Sequence, residues 1–264
     1  MKKTLSYILA IVVCLATLCG CGDTPSGGQT TDGPRDSVML RNALGMQTTD
    51  PADTNETDVL TVNEQIYEGL YTLDESGGGY QPCLAKQIDI SDDATVYTIT
   101  LQDGVKFHNG ETLKASDVVF SYQHFMDNPK YNSYTDMIEK VEALDDSHVV
   151  ITIARPYSPI LHTFFKIKIL SEKEVTSQGS DFGTIANLAG TGPYYMDAET
   201  YRPNSGWTLY AFEDYWQGAP QIKKIGYVVI EDNSSAVIAL KNGDIDYPVS
   251  YTHLRAHETR GNLV

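Results

Sequence analysis

Side chains that bind metals, carry protons or attack carbonyl carbon are sparse in this chain, so their spacing decides what they can do. His253 and His257 stand one helical turn apart with Glu258 next to the second, two imidazoles and a carboxylate in the outline of a metal site. Asp50, Asp53, Asn55 and Asp58 crowd oxygen ligands together, but without the glycine of a calcium loop they read as a solvated acidic loop. His108, His124, His148 and His162 are scattered over turn, helix and strand contexts and read as packing or surface residues. Cys14, Cys19 and Cys21 lie near the N-terminus. Cys83 is the one cysteine of the body, so no internal disulfide or CxxC metal pair forms there, and its thiol reads as a packing group. There is no G-x-S-x-G elbow, phosphate-cradling Gly-Lys loop, H-E-x-x-H or G-x-G-x-x-G. No catalytic residue, no metal and no cofactor is expected.

The His253/His257/Glu258 set weakens further when the tail is read as codons. VSYTHLRAHETRGNLV, Val249 to Val264, is basic where the rest of the chain is acidic. A transposase-type sequencing adapter end, GTC TCT TAT ACA CAT CTC CGA GCC CAC GAG, spells Val249 to Glu258 without a mismatch. Residues 248–264 are therefore expected to be adapter-derived and are excluded from fold reasoning, and the native chain is expected to run on after Tyr247.

The chain has 264 residues and a formal charge of −16. Without Lys2, Lys3, Arg255, Glu258 and Arg260, 15 basic residues face 34 acidic ones, or −19. Such a surface repels phosphate backbones and excludes nucleic acid as a partner. The 17 tyrosines outnumber the 7 phenylalanines, which suits half-wet contact surfaces. Met1-Lys2-Lys3 followed by the apolar Leu5–Leu18 is a secretory leader, too short for a comfortable membrane span. Leu18-Cys19-Gly20-Cys21 resembles a bacterial lipobox, which implies a signal peptide over 1–20 and Cys21 as the lipidated first residue of a membrane-anchored protein. Residues 21–36, rich in Gly, Thr, Pro and Asp, form a flexible linker.

Order is expected from Ser37. Val38, Leu40, Asn42 and Leu44 alternate as in a strand, and Val62, Ile66 and Leu70 recur at helical spacing in a helix ending near Gly69. Val96–Leu101 reads as a strand, Asp103-Gly104 as the turn after it, and Val105–Phe107 as a segment pairing back. Ser116–Phe125 is an amphipathic helix with Val119, Tyr122 and Phe125 on one face; Lys140–Leu144 and His148–Ala154 form a hairpin. Strands follow around Tyr194, Trp207–Phe212 and Ile225–Ile230, then a helix capped by Asn233 or Ser234 and stopped by Gly243. Mixed helices and strands with several hairpins predict an α/β architecture with a β-rich insertion. Asn109-Gly110 supplies a hairpin turn, with Phe107, Val119 and Phe120 packing together beneath it. Gly190-Thr191-Gly192-Pro193 builds a tight crossing where backbones approach closely, and Tyr215 and Trp216 read as packing residues.

Several phrases, in order, resemble the family 5 extracellular solute-binding lipoproteins of peptide and nickel ABC importers. They are Gly69-Leu70-Tyr71, Pro82–Ala85, VKFHNGETLKASDVVFSYQ over Val105–Gln123, Gly190–Tyr194, Tyr215–Pro220 and Leu240–Asp246. The resemblance implies a class II periplasmic-binding-protein-like bilobal fold. Residues 37–247 would be the N-terminal part of the solute-binding domain, with an inserted subdomain over about 72–185 and the second lobe missing. It implies a ligand held between lobes that close on a hinge, contacted here by Met46, Gln47, Thr48 and Thr49 after the first strand, and by Thr191 and Tyr247. The implied role is extracytoplasmic capture of oligopeptides or dipeptides for an ABC permease and its ATPase, with no bond made or broken. A nickel chelate, haem or an oligosaccharide is the alternative ligand, and peptide sensing an alternative role. From another class, plentiful carboxylates leave room for a cell-surface hydrolase.

Overall fold

The strand expected at the start of the ordered chain forms, and it lies inside a sheet. In the computed structural model, which describes residues 35–54, 56–74, 76–184 and 186–248, β1 spans Ser37–Asn42. Cys21 with its leader, the linker to Pro34 and the tail from Val249 lie outside the described residues. A 3₁₀ turn at Pro51–Asp53 leads to helix α1 (Thr57–Ile66), then β2 (Tyr71–Leu73) and β3 (Tyr80–Pro82). Next come β4 (Ala85–Ile90), β5 (Val96–Leu101), α2 (Ala115–Met126) and α3 (Asn132–Thr135). β6 (Ile138–Ala143), β7 (His148–Ile153), α4 (Ile160–Lys166) and α5 (Glu172–Gln178) follow. The described chain closes with β8 (Tyr194–Met196), β9 (Gly206–Ala211), β10 (Lys224–Val229), α6 (Asn233–Asn242) and β11 (Tyr247–Pro248).

Two sheets organise two cores. The first sheet is antiparallel in the order β4-β5-β7-β6. Every second residue of β5 and β7 turns inward: Tyr97, Ile99 and Leu101, and Val149, Ile151 and Ile153. They share a core with Val118, Tyr122 and Phe125 of α2. Burying each such side chain contributes about 1.5–3 kcal/mol. The second sheet has the order β11-β1-β10-β9-β8, with β1 parallel to both β10 and β11 and β9 antiparallel to β10. Its core joins Trp207 and Leu209 of β9 and Ile225 and Tyr227 of β10 to Val59, Val62 and Ile66 of α1. The Trp207 and Tyr227 rings stack there with centroids 5.5 Å apart. Membership passes from the first core to the second between Ile169 and Leu170, and Val175 of α5 belongs to the second.

Local departures from the sequence expectations have physical causes. Helix α1 ends at Ile66 because Tyr67 turns extended, at φ −121° and ψ 140°; Leu70, which fits the helical spacing, is buried in the other core. Val105–Phe107 does not pair back on β5. It closes a tight hairpin with Glu111–Leu113, Phe107 N–H to Glu111 O at 2.8 Å and Leu113 N–H to Val105 O at 2.9 Å, around Gly110 at φ +86°. Val118 rather than Val119 is the buried valine of α2. Phe107 enters the first core while Phe120 packs on the second, so the two part company on opposite sides of α2. The cap of α6 is Asp232, which accepts from Ser235 N–H at 2.6 Å, and Gly243 ends the helix in the left-handed region as expected. The acidic loop residues have separate duties: Asp53 pairs with Lys130 at 2.6 Å and Asp58 accepts from Ala43 N–H at 3.3 Å.

Candidate functional site

Where β1 ends, its neighbours force the chain to turn. Arg41 is buried and donates to the carbonyls of Ile230 at 2.8 Å and Glu231 at 3.0 Å, binding the exits of two parallel strands together. At Gly45 a side chain has no room, since a Cβ would sit 2.4 Å from Pro203 O. The loop then runs through the four residues expected to meet ligand. Met46 is fully buried in the second core, and its carbonyl accepts from the Tyr201 hydroxyl at 2.8 Å. Gln47 is exposed and donates through Nε2 to Asn204 Oδ1 at 2.7 Å. Thr48 accepts from Asp50 N–H through Oγ1 at 3.1 Å, a local turn. Thr49 is buried: its N–H donates to Gly183 O at 2.9 Å and its Oγ1 accepts from Asn187 Nδ2 at 3.0 Å. The Tyr67 hydroxyl lies 2.7 Å from Thr49 O and 3.0 Å from Asn187 Oδ1. Burial holds that hydroxyl far above its ordinary pKa, so it serves as a fixed neutral donor.

The loop is also tied to α2. Asp50 caps the 3₁₀ turn by accepting from Ala52 N–H at 2.8 Å, and its other oxygen meets His124 Nε2 at 2.8 Å. The His124 ring stacks on Phe120 with centroids 6.1 Å apart. The hydrogen bond to Asp50 raises the His124 pKa, against an opposing effect of burial.

Thr191 stands in the expected crossing. A Cβ on Gly190 would lie 2.1 Å from Ile66 O, and one on Gly192 2.6 Å from Gln65 O. Both glycines are therefore required by the end of α1, and Gly192 N–H donates to Ile66 O at 2.9 Å. His108 spans the same crossing from the other side, its N–H on Gly190 O and its Nε2 on Gly192 O, each at 2.9 Å. Burial pushes the His108 pKa down to about 4. Thr191 itself is fully buried and donates to Glu68 Oε2 at 2.9 Å. Glu68 also accepts from Cys83 Sγ at 3.4 Å, the Tyr215 hydroxyl at 2.7 Å and Trp216 Nε1 at 3.0 Å. Tyr215, Trp216 and Cys83, read from sequence as packing residues, thus carry polar bonds as well.

Consecutive residues after α1 link the two segments. Tyr67 grips the exit loop and Glu68 the crossing, as alternating side chains of an extended chain do. Tyr247 stands apart from them on the edge strand β11, 45% exposed and paired with Leu40 of β1. Tyr67, Asn187 and Asn204 carry no local sequence signal of these roles. The one clue is Glu68 itself, a carboxylate inside the apolar run Ile66–Tyr71, where burial demands partners.

What this arrangement offers a ligand is neutral amide, hydroxyl and main-chain polar groups on a stiff support. A charged cleft of about 850 Å³ lies elsewhere, between the Phe107–Lys114 hairpin and α5. Both of its lysines and two of its carboxylates are engaged: Lys173 pairs with Glu111 at 2.5 Å, Lys114 with Asp146 at 3.0 Å, and Asp117 caps α2. Ser147, His148 and Asp145 meet in the β6–β7 turn, but Ser147 Oγ and the Asp145 carboxylate approach the same ring nitrogen, Nδ1. A serine relay needs the nucleophile and the acid on opposite nitrogens.

Residues 79–261 match the sequence profile of the "Bacterial extracellular solute-binding proteins, family 5 Middle". The glutathione-binding protein GsiB of Salmonella typhi is 31% identical over 224 residues, 81% of this chain and 42% of that protein. The mannopinic acid complex of MoaA from A. tumefaciens R10 superposes with a TM-score of 0.79 at 24% identity, covering 87% of this chain and 48% of that one. NikZ from Campylobacter jejuni, in complex with Ni(L-His), gives 0.70 at 30% identity, covering 81% and 43%. The chain spans a little under half the length of the relatives it matches, as a partial form of the α/β periplasmic-binding fold. It belongs to the family 5 bacterial extracellular solute-binding proteins.

Proposed function

We propose that the chain is the first lobe of an extracytoplasmic receptor that captures oligopeptides or dipeptides for an ABC permease and its ATPase. The observation that carries this is the exit loop of β1. Its interior is locked by Tyr67, Thr49 and Asn187, while Gln47 and Asn204 present amide groups at the surface. Amide and main-chain groups match a peptide backbone and tolerate varied side chains, as β-strand-like capture requires. The likeness to GsiB supports a peptide, because glutathione is a tripeptide. The protein binds and releases its solute without chemistry on it. Cys21 carries a lipid that holds the receptor at the membrane, and residues 37–247 continue into a second lobe that completes the pocket.

A nickel chelate is the second reading, favoured by the likeness to NikZ. The test uses the product of the complete source locus, incubated with glutathione, a di- and tripeptide mixture, or Ni(L-His). Ligand at a hundredfold excess over Kd stabilises by about 2.7 kcal/mol. A rise in Tm with peptide and none with Ni(L-His) supports peptide capture. A rise with Ni(L-His) alone overturns it.

A further inference from the structure

We propose that Glu68 is a positioning residue, whose buried carboxylate pins the crossing at Gly190–Gly192 against α1 and so fixes where that crossing stands relative to the β1 exit loop. The proposal rests on reading those two segments as the ligand face.

Donors converge on Glu68 from three directions: Cys83 between β3 and β4, Thr191 in the crossing, and Tyr215 with Trp216 after β9. Oε1 takes the Cys83 thiol and the Tyr215 hydroxyl; Oε2 takes the Thr191 hydroxyl and the Trp216 indole. Four donors suit an acceptor-only group, and the indole N–H has no other role to offer. An amide in this place turns N–H groups toward donors on one side. The main chain of Glu68 is held too, its carbonyl accepting from Ile169 N–H at 2.8 Å. Since Tyr67 grips Thr49, two adjacent residues set the spacing between loop and crossing.

Among the described residues no cation forms an ion pair with the carboxylate. The buried ammonium of Lys168 lies over the Phe165 ring, 4.4 Å from its centroid, and burial lowers its pKa to about 8. The titratable groups that face Glu68 are the Cys83 thiol and the Tyr215 phenol, with Lys168 farther off and Glu64 and Lys166 acting on Lys168. Burial raises the Glu68 pKa against the pull of all four donors. Raised in the folded state, it makes the anion a burden on stability above its ordinary range, so neutral pH is where the fold gives up most for keeping it. A group that costs stability and yet holds several segments in place is placed for geometry.

The test compares Glu68→Gln with the wild type and uses no ligand, so its failure is separate from failure of the peptide reading. Hydrogen exchange of segments 46–54 and 186–194 should quicken about tenfold in Glu68→Gln while β5 and β7 keep their protection. The Trp216 indole resonance of the wild type should move in acid with a midpoint above the ordinary glutamate value of about 4.3, and this transition should vanish in the variant. Should Glu68→Gln not fold, Trp216→Phe removes one donor and must speed the same two segments. Unchanged exchange in both segments, equal acceleration everywhere, or an acid transition that survives Glu68→Gln overturns the proposal.

Discussion

His124 Nε2 and Asp50 Oδ2 lie 2.8 Å apart, so the imidazole of α2 holds the loop that leaves β1. The bond raises the His124 pKa. Below the unfolded value of about 6.5 both states are protonated and the stabilisation is fully present. It is lost as pH rises through the folded pKa. His124→Ala should cost about 1 kcal/mol near pH 5.5 and less at pH 8.5. Urea midpoints at the two pH values check this, and an equal loss at both refutes it.

His108 responds in the opposite sense. Burial lowers its pKa to about 4, so the folded state resists a proton that the unfolded chain accepts. Stability present above about 6.5 should fall by roughly 3 kcal/mol on acidification to pH 4. His108→Gln, which keeps a donor for Gly192 O, should lose this limb of the pH profile. Melting curves between pH 4 and 7 decide the point.

Glycines of the crossing should not tolerate a methyl group. Gly190→Ala drives a Cβ into Ile66 O and should cost about 3 kcal/mol, measured by urea denaturation. Gly226→Ala crowds the flexible end of Met39, with Val38 O at an ordinary 3.8 Å, and should cost under about 1 kcal/mol. Equal costs would show that the crossing yields.

If Cys21 carries the lipid, Cys21→Ala abolishes labelling by a fatty-acid probe and moves the protein from the membrane to the soluble fraction. Retention of label and membrane partition would refute the anchor.

Ile238 and Leu240 of α6 are 59% and 37% exposed, whereas Ala236 is buried. In the chain as it stands, Ile238→Lys should change stability by less than about 0.5 kcal/mol. In the product of the complete locus, where a second lobe is proposed, it should destabilise. Paired urea titrations of the two forms test this, and a neutral outcome in both counts against a lobe covering α6.

How far the sequence could be read depended on whether a signal is local. The strand expected over Val96–Leu101 and the hairpin arm expected over His148–Ala154 became β5 and β7, because a strand's period is written in adjacent residues. The paired glycines announced the close approach at Gly190–Gly192, though not that Ile66 was the neighbour. Spacing misled at Leu70: the helical period runs on past Ile66, but tertiary contacts place Leu70 in another core. Within the expected ligand loop the sequence showed the polar groups and concealed that Met46 and Thr49 face inward. The partners of Tyr67 and Glu68, such as Asn187 and Trp216, lie more than a hundred residues away, where periodicity carries no information.

The place of β1 also sets the order of assembly. The sheet β4-β5-β7-β6 is complete within Ala85–Ile153 and is built from neighbouring hairpins, so its contacts close over short loops. Ser37, by contrast, pairs with Lys224, and β1 has no strand partner until β10 and β11 are available. Contacts between distant residues form slowly, because loop closure comes before any gain from pairing. β1, the first of the described strands to be made, is thus seated only after β10. The sheet β4-β5-β7-β6 gathers early, while the place of β1 beside β10 stays empty until the chain has passed residue 224.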